Sequence, residues 1–388
     1  MRVADIHAFE MAAPNDVGGL AAALDDGRIR AGEIVCIMAK TEGNGLDNDH
    51  TRAYATDTLV YLLERRTGLG RDALFDRISF ILSGGVEGVL SPHMIVFTVS
   101  EQAGAAAAGY VRPPHPEDRR GATPAPGGGL AIGRSFTRPI KPEEIGRRAQ
   151  VAATAEAVRA AMAAAGLKPS EVAYVMAKGV VLMPDRVADA VRRGVTLCAS
   201  DTHGSKPFTR AATALGIAVA LGEMAEAGID DAMIGADLER HSARACVTPG
   251  IDLPRSEILV FGNGGDWGGE IAVAGTALED MIDSRSVFEA LRSLDMPAAP
   301  QLSAADRARL LAVIVKGGPS RDDLLRGRRH VMWHDSDVNA LRHFRAAMGG
   351  MLAGLMGDTR FYIAAGAEHQ GPPGGGTMAI FARRKRPR

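Results

Sequence analysis

The sequence has almost no cysteine: Cys36, Cys198 and Cys246 are the three among 388 residues, widely spaced and without a CxxC pair. That pattern offers no disulfide framework, and the thiols read as small, reduced apolar groups in a cytosolic protein. Aromatic residues make up only 5% of the chain, which argues against base stacking. Charge is balanced, with 45 basic and 46 acidic side chains, so no basic face recruits nucleic acid or an anionic membrane. No apolar run approaches the ~18 residues of a membrane span, and Ala105 to Ala108 is short and flanked by glycine. The start, Met1 to Asp5, lacks a charged segment followed by an apolar one, so no secretory signal is expected. The 10 histidines contain no HxH or HExxH pair, which disfavours a metal hydrolase of the usual kind. Gly374-Gly375-Gly376 lacks the frame of a phosphate loop.

What is present is a threefold repeat. Strand-like runs end at Lys40 (Glu33 to Lys40), Lys178 (Glu171 to Lys178) and Lys316 (Leu311 to Lys316), at equal intervals: 178 − 40 and 316 − 178 are both 138. Downstream of each lysine an arginine opens an apolar-periodic helix: Arg52, Arg210 and Arg342. A second strand then runs into a turn of pattern Gly, apolar, acid: Ser83-Gly84-Gly85-Val86-Glu87, Thr248-Pro249-Gly250-Ile251-Asp252 and Ala364-Ala365-Gly366-Ala367-Glu368. A third strand closes each copy, at Met94 to Val99, Glu257 to Phe261 and Met378 to Ala382. Further helices are expected over Gln150 to Ala165 and Asp306 to Leu311. The pattern predicts an α+β fold of three similar domains, 1–110, 111–270 and 271–388, each a small sheet packed with helices. Connections rich in proline and glycine are expected at Pro113 to Gly129 and Asp295 to Pro300.

One lysine at a strand end is ordinarily a solvated terminus. Three equivalent ones point to an active site, because a lysine moved out of water and near other cations has its pKa lowered into the range of a general base. Paired with a hydroxyl it makes a Ser–Lys nucleophile that needs no histidine or metal. Ser83 supplies that hydroxyl, before Gly84-Gly85, whose N–H groups are expected to form an oxyanion hole. Taken alone, Ser-Gly-Gly would read equally well as a tight turn. Arginine donates in a planar fork to carbonyl oxygens, so Arg52, Arg210 and Arg342 would suit a ring bearing several carbonyls. Asp335-Ser336-Asp337 reads as a helix cap.

Several segments together resemble the cyanuric acid amidohydrolase and barbiturase family of ring-opening cyclic amide hydrolases. They are Thr41 to Gly45, Ser83 to His93, Arg328-Arg329-His330 with Asp335-Ser336-Asp337, and Glu368 to Pro372 with Gly374-Gly375-Gly376. The resemblance covers essentially the whole chain. It implies three domains around a pseudo-threefold axis, a central active site, hydrolysis of a cyclic ureide by Ser–Lys dyads, and a homotetramer. It implies catalytic roles for Ser83, Lys40, Lys178, Thr248 and Lys316. It implies substrate-binding roles for Arg52, Arg210, Arg342, Gly84, Gly250 and Ala365. No cofactor is required for the chemistry, but a structural Mg or Ca is implied near Glu368, Gln370, Gly371 and Gly376.

The chain departs from that pattern where the family has Ser-Gly in the second and third copies, and here reads Thr248-Pro249 and Ala364-Ala365. Thr248 keeps a hydroxyl with restricted χ1, Pro249 removes an N–H, and Ala364 cannot attack anything. Gly318 stands where an acid is expected beside the cation. The nucleophile is therefore Ser83 with Lys40, the intact dyad, or Thr248 with Lys178, at the family's usual location. The broken symmetry suggests a substrate less symmetric than cyanuric acid, such as a barbiturate, a pyrimidine-dione or a cyclic imide. Two other readings stay open: a degenerate relative that binds a cyclic ligand without turnover, and a metal-activated water.

Overall fold

The computed structural model describes residues 1–45, 48–101, 128–250 and 254–385. Its framework is one four-stranded arrangement built three times. In each copy an outer strand (Arg2–Glu10, Gly129–Phe136, Ile271–Leu278) lies beside a closing strand (His93–Glu101, Glu257–Gly264, Gly376–Arg383). Next come the lysine strand (Ile34–Thr41, Val172–Val180, Leu310–Gly317) and a turn strand (Ser79–Gly84, Ala245–Gly250, Tyr362–Ala365) at the edge. The lysine and turn strands run parallel, which requires a crossover, and helices Thr51–Thr67, Thr202–Ala220 and Ala340–Met356 supply it. The closing strand is antiparallel to both its neighbours. A two-residue strand, Trp267–Gly268, adds to the first sheet beside Arg2 and Val3.

The lysine strands are apolar without alternation, Ile-Val-Cys-Ile-Met-Ala in the first, because both faces are covered. One face packs on helices. In the first copy Ile37 and Val96 meet Leu59 and Leu63, and in the third Val313 and Ile380 meet Phe344 and Leu352. The other face joins a core shared by all three sheets. At its centre Phe97, Phe261 and Phe381, one from each closing strand and in equivalent register, stand 5.2–5.5 Å apart in tilted or edge-to-face contacts. This aromatic triad marks the pseudo-threefold axis.

Three sequence expectations change. The outer strands were not foreseen: Gly129–Phe136 and Ile271–Leu278 are rich in glycine and alanine and carry little strand propensity, and pairing with the closing strands forms them. The helix expected over Asp306 to Leu311 is a single turn, Ala304–Arg307, capped by Ser303, and Leu310 already pairs with Ala382. The cap of Ala340–Met356 is Asn339, whose side chain accepts from Leu341 N, and Asp335 instead binds the N–H groups of Asp337 and Val338. The expected connection at Pro113 to Gly129 lies outside the described residues up to 127, as does the 110/111 boundary. Among the described residues no helix is long and apolar enough to cross a membrane.

Candidate active site

Strand register sets Lys40 opposite Ser83, Lys178 opposite Thr248 and Lys316 opposite Ala364. The first pair is in contact. Lys40 Nζ donates to Ser83 Oγ at 3.2 Å, to Gly84 O at 3.0 Å and, across to the third copy, to Ile363 O at 2.9 Å. Lys178 Nζ reaches back into the first copy, donating to Phe80 O at 3.1 Å, while Thr248 Oγ1 turns toward Ala177 O at 3.5 Å. Lys316 Nζ donates to Ala365 O at 3.2 Å. The lysines of the first two copies thus end against a neighbouring copy, and the site lies where the copies meet.

Lys40 and Lys316 are fully buried. Burial, followed by the Arg345 guanidinium, holds the Lys40 amine well below the ordinary lysine value. Burial and then Arg210 push Lys316 down to about 7. In the unfolded chain a lysine titrates near about 10.4, so between these values the folded chain binds fewer protons than the unfolded one. Stability should therefore rise with pH from about 7 upward and be lost as pH falls toward 7. In thermal melts the advantage of Lys316→Met over the parent should be largest near pH 7 and shrink steadily toward about pH 10.

The acids of the turns hold arginines from another copy. Arg210 of the second copy binds Glu368 of the third through Nε at 2.6 Å and Nη2 at 2.8 Å. Arg345 of the third copy binds Glu87 of the first in the same fork, through Nε at 2.7 Å and Nη2 at 2.5 Å. Burial alone would raise both carboxyls, but the arginines hold them below the usual range. Gly85 and Gly366 make the close approach possible. Both have positive φ (+99° and +87°), and a Cβ on either would lie 2.7–2.8 Å from the nearest guanidinium atom.

These contacts change the expected placement of the arginines. Arg210 does not open its helix, which begins at Thr202 with Asp201 as cap, and stands in its middle. Arg342 makes one 3.2 Å contact to Glu87 and is 39% exposed, whereas Arg345, which the sequence reading passed over, is 7% exposed and is the counterpart of Arg210. A signal was available, since Arg345 lies one helical turn beyond Arg342 on the same side. Arg52 is the second residue of Thr51–Thr67 and half-buried. Asp252, the second copy's turn acid, lies outside the described residues.

The oxyanion assignment changes as well. Gly85 N–H donates to Thr41 O at 3.1 Å and is committed to the backbone, as is Gly366 N–H to Gly317 O at 3.0 Å. Gly84 presents its carbonyl to Lys40, and Gly250 packs against the Lys178 side chain, where a Cβ would meet Cγ at 2.4 Å. Ala365 offers its carbonyl to Lys316. The Gly84-Gly85 pair therefore cannot donate two N–H groups.

At the implied cation site the side-chain oxygens of Glu368 and Gln370 are already engaged by protein donors. Both Glu368 oxygens are on Arg210; Gln370 Oε1 accepts from Val247 N at 2.5 Å while its Nε2 donates to Glu368 O. Gly371 N–H donates to Ser242 O, and Gly376 packs against Gly371 and Lys316 O. Gly318 adds no carboxylate, and the described residues contain no group of three His, Cys, Asp or Glu suited to a metal. A cavity of about 410 Å³ borders this loop, with Asp237, Gly318, Trp333 and Glu368 in its wall, but no lysine of the three lines it.

The family described as "Amidohydrolase ring-opening protein" (Amido_AtzD_TrzD) matches residues 5–383. A protein named cyanuric acid amidohydrolase from Enterobacter cloacae is 41% identical over 98% of this chain and 99% of its own. One named cyclic amide hydrolase from Azorhizobium caulinodans is 40% identical over 97% of this chain and 99% of its own. A crystal structure of a cyanuric acid hydrolase from A. caulinodans superposes with TM-score 0.84 at 41% identity, each chain covered completely. A second, described as a cyanuric acid hydrolase arising by structural concatenation, gives TM-score 0.87 at 36% identity, covering 99% of this chain and 100% of that one.

Proposed function

The chain belongs to the ring-opening amidohydrolase family, and from that premise we propose that it hydrolyses one amide bond of a cyclic ureide or imide, with Ser83 as nucleophile and Lys40 as base. The observation that carries this reading is the 3.2 Å contact between Lys40 Nζ and Ser83 Oγ, at the one register-equivalent position of three that keeps a serine.

Neutral Lys40 takes the Ser83 proton as Oγ adds to a ring carbonyl that the site's arginines orient. The tetrahedral adduct collapses, the ring carbon–nitrogen bond breaks, and Lys40 returns its proton to the departing nitrogen. Because that nitrogen stays tethered, the acyl-enzyme retains every atom of the substrate. Water then cleaves the ester, delivering a linear acid and restoring the serine hydroxyl. The reactive Lys40 is the free base, so kcat/KM should fall about tenfold per pH unit on the acid side of its lowered pKa and level off above it. Lys40→Arg, which stays protonated, should abolish that profile together with the activity.

The substrate class follows from the loss of equivalence. Three identical carbonyl-bearing edges would suit three identical sites, and here the facing groups are Ser83, Thr248 and Ala364. A barbiturate-like ring, a pyrimidine-dione or a cyclic imide matches such a site better than cyanuric acid. The test is loss of ring absorbance with cyanuric acid, barbituric acid, uracil and succinimide in parallel. A less symmetric ring should be turned over with the highest kcat/KM. Cyanuric acid as the best substrate would overturn the substrate assignment and leave the ring-opening activity standing.

A further inference from the structure

Two residues before Ala364 the third turn strand carries Tyr362, on the same side of the strand. The equivalent residues, read from strand register, are Ile81 in the first copy and Cys246 in the second, so only the third brings a phenol to this level of the axis. Tyr362 is wholly buried, and among the described residues its hydroxyl completes no hydrogen bond. The neighbouring deep tyrosine, Tyr174, bonds Thr377 Oγ1 at 3.2 Å. A buried unpaired hydroxyl costs about 1–3 kcal/mol, and phenylalanine would fill the same space without that cost. The Ser83 side chain lies beside the phenol, and Lys40 Nζ stands 5.7 Å from the ring centroid. The Ser83 hydroxyl is thus set between a lysine of its own copy and a phenol of another.

We infer that Tyr362 is a positioning residue for Ser83: its phenol, unpaired in the resting structure, donates a hydrogen bond to Oγ when the serine proton turns from Gly84 O toward Lys40. This rests on the reading of Ser83 and Lys40 as the dyad. A serine oxygen has one proton to donate and two lone pairs. In the resting structure that proton has a competing acceptor, Gly84 O, at 3.3 Å. A donor on one lone pair leaves the proton free for the amine and the other lone pair for attack. Burial keeps the phenol protonated above the ordinary tyrosine range, so it retains the proton it donates. It also sets the first copy apart. Thr248 and Ala364 belong to copies that lack an equivalent arrangement, so this contact selects which lysine works with a nucleophile.

The test is Tyr362→Phe, assayed by ring-absorbance loss with barbituric acid and with cyanuric acid, alongside a thermal melt. The expected result is a kcat lowered about 10- to 30-fold, KM within about twofold, and a melting temperature equal to or above that of the parent. In a Ser83→Ala background the same change should have no further effect on the residual rate, since the phenol acts through Oγ. Unchanged kcat in Tyr362→Phe, with Ser83→Ala inactive, would overturn this inference alone. A kcat loss that tracks a fall in melting temperature, or that persists unchanged in the Ser83→Ala background, would also overturn it. Full turnover by Ser83→Ala would instead overturn the dyad, and this inference with it.

Discussion

Ser83→Ala should lower kcat by at least about 10³-fold, while Thr248→Ala changes it by less than about threefold. The two residues occupy the same register beside their lysines, so the difference is one of local contacts. Lys40 Nζ touches Ser83 Oγ at 3.2 Å from a buried position that favours the free amine. Thr248 Oγ1 points its proton toward Ala177 O at 3.5 Å, and the Lys178 amine reaches Phe80 O at 3.1 Å in another copy. The χ1 restriction of threonine makes the return of that hydroxyl to the lysine costly. Steady-state kinetics of the two variants on one substrate decides the matter. Inactive Thr248→Ala with active Ser83→Ala would move the nucleophile to the second copy. Activity in both would discard the hydroxyl mechanism.

Arg345→Leu should destabilise the protein by about 3–5 kcal/mol, and Arg342→Leu by no more than about 1 kcal/mol. The reason is burial. Glu87 is 8% exposed and receives a two-point fork from Arg345, which is itself 7% exposed, so removing the arginine strands a carboxylate out of water. Arg342 is 39% exposed and adds a single longer contact to the same oxygen that Arg345 Nη2 binds. If Arg342 swings in to replace the lost partner, the cost falls to the lower end of the range. Denaturant unfolding of both variants measures it. Equal, small effects would mean that the Glu87–Arg345 fork contributes little to holding the first and third copies together. The Arg345 loss should also raise the Lys40 pKa, since that guanidinium is the largest charge holding it down, and move the acid limb of the activity profile upward.

The three lysines were legible because each ends a run of buried residues, and a covered strand must be apolar without interruption. The turns were legible because Gly85 and Gly366 sit where φ is positive and an arginine packs against the missing side chain. The loss of equivalence at Ser83, Thr248 and Ala364 is likewise written in the chain, together with the family to which the chain belongs. What linear order could not carry is everything decided between copies. Which arginine reaches which acid depends on how three sheets meet, and it passed from Arg342 to Arg345 because only one of them faces inward with room for a fork. Whether Gly84 and Gly85 offer free N–H groups depends on a ladder bond to Thr41, a residue 44 positions away from Gly85 (85 − 41). Tyr362 had no local signal at all, being an aromatic in a strand like any other. Its hydroxyl gains meaning only from Ser83, 279 residues earlier (362 − 83), brought to it because hydrophobic burial drives three apolar sheet faces onto one axis and leaves the few polar atoms there to face one another.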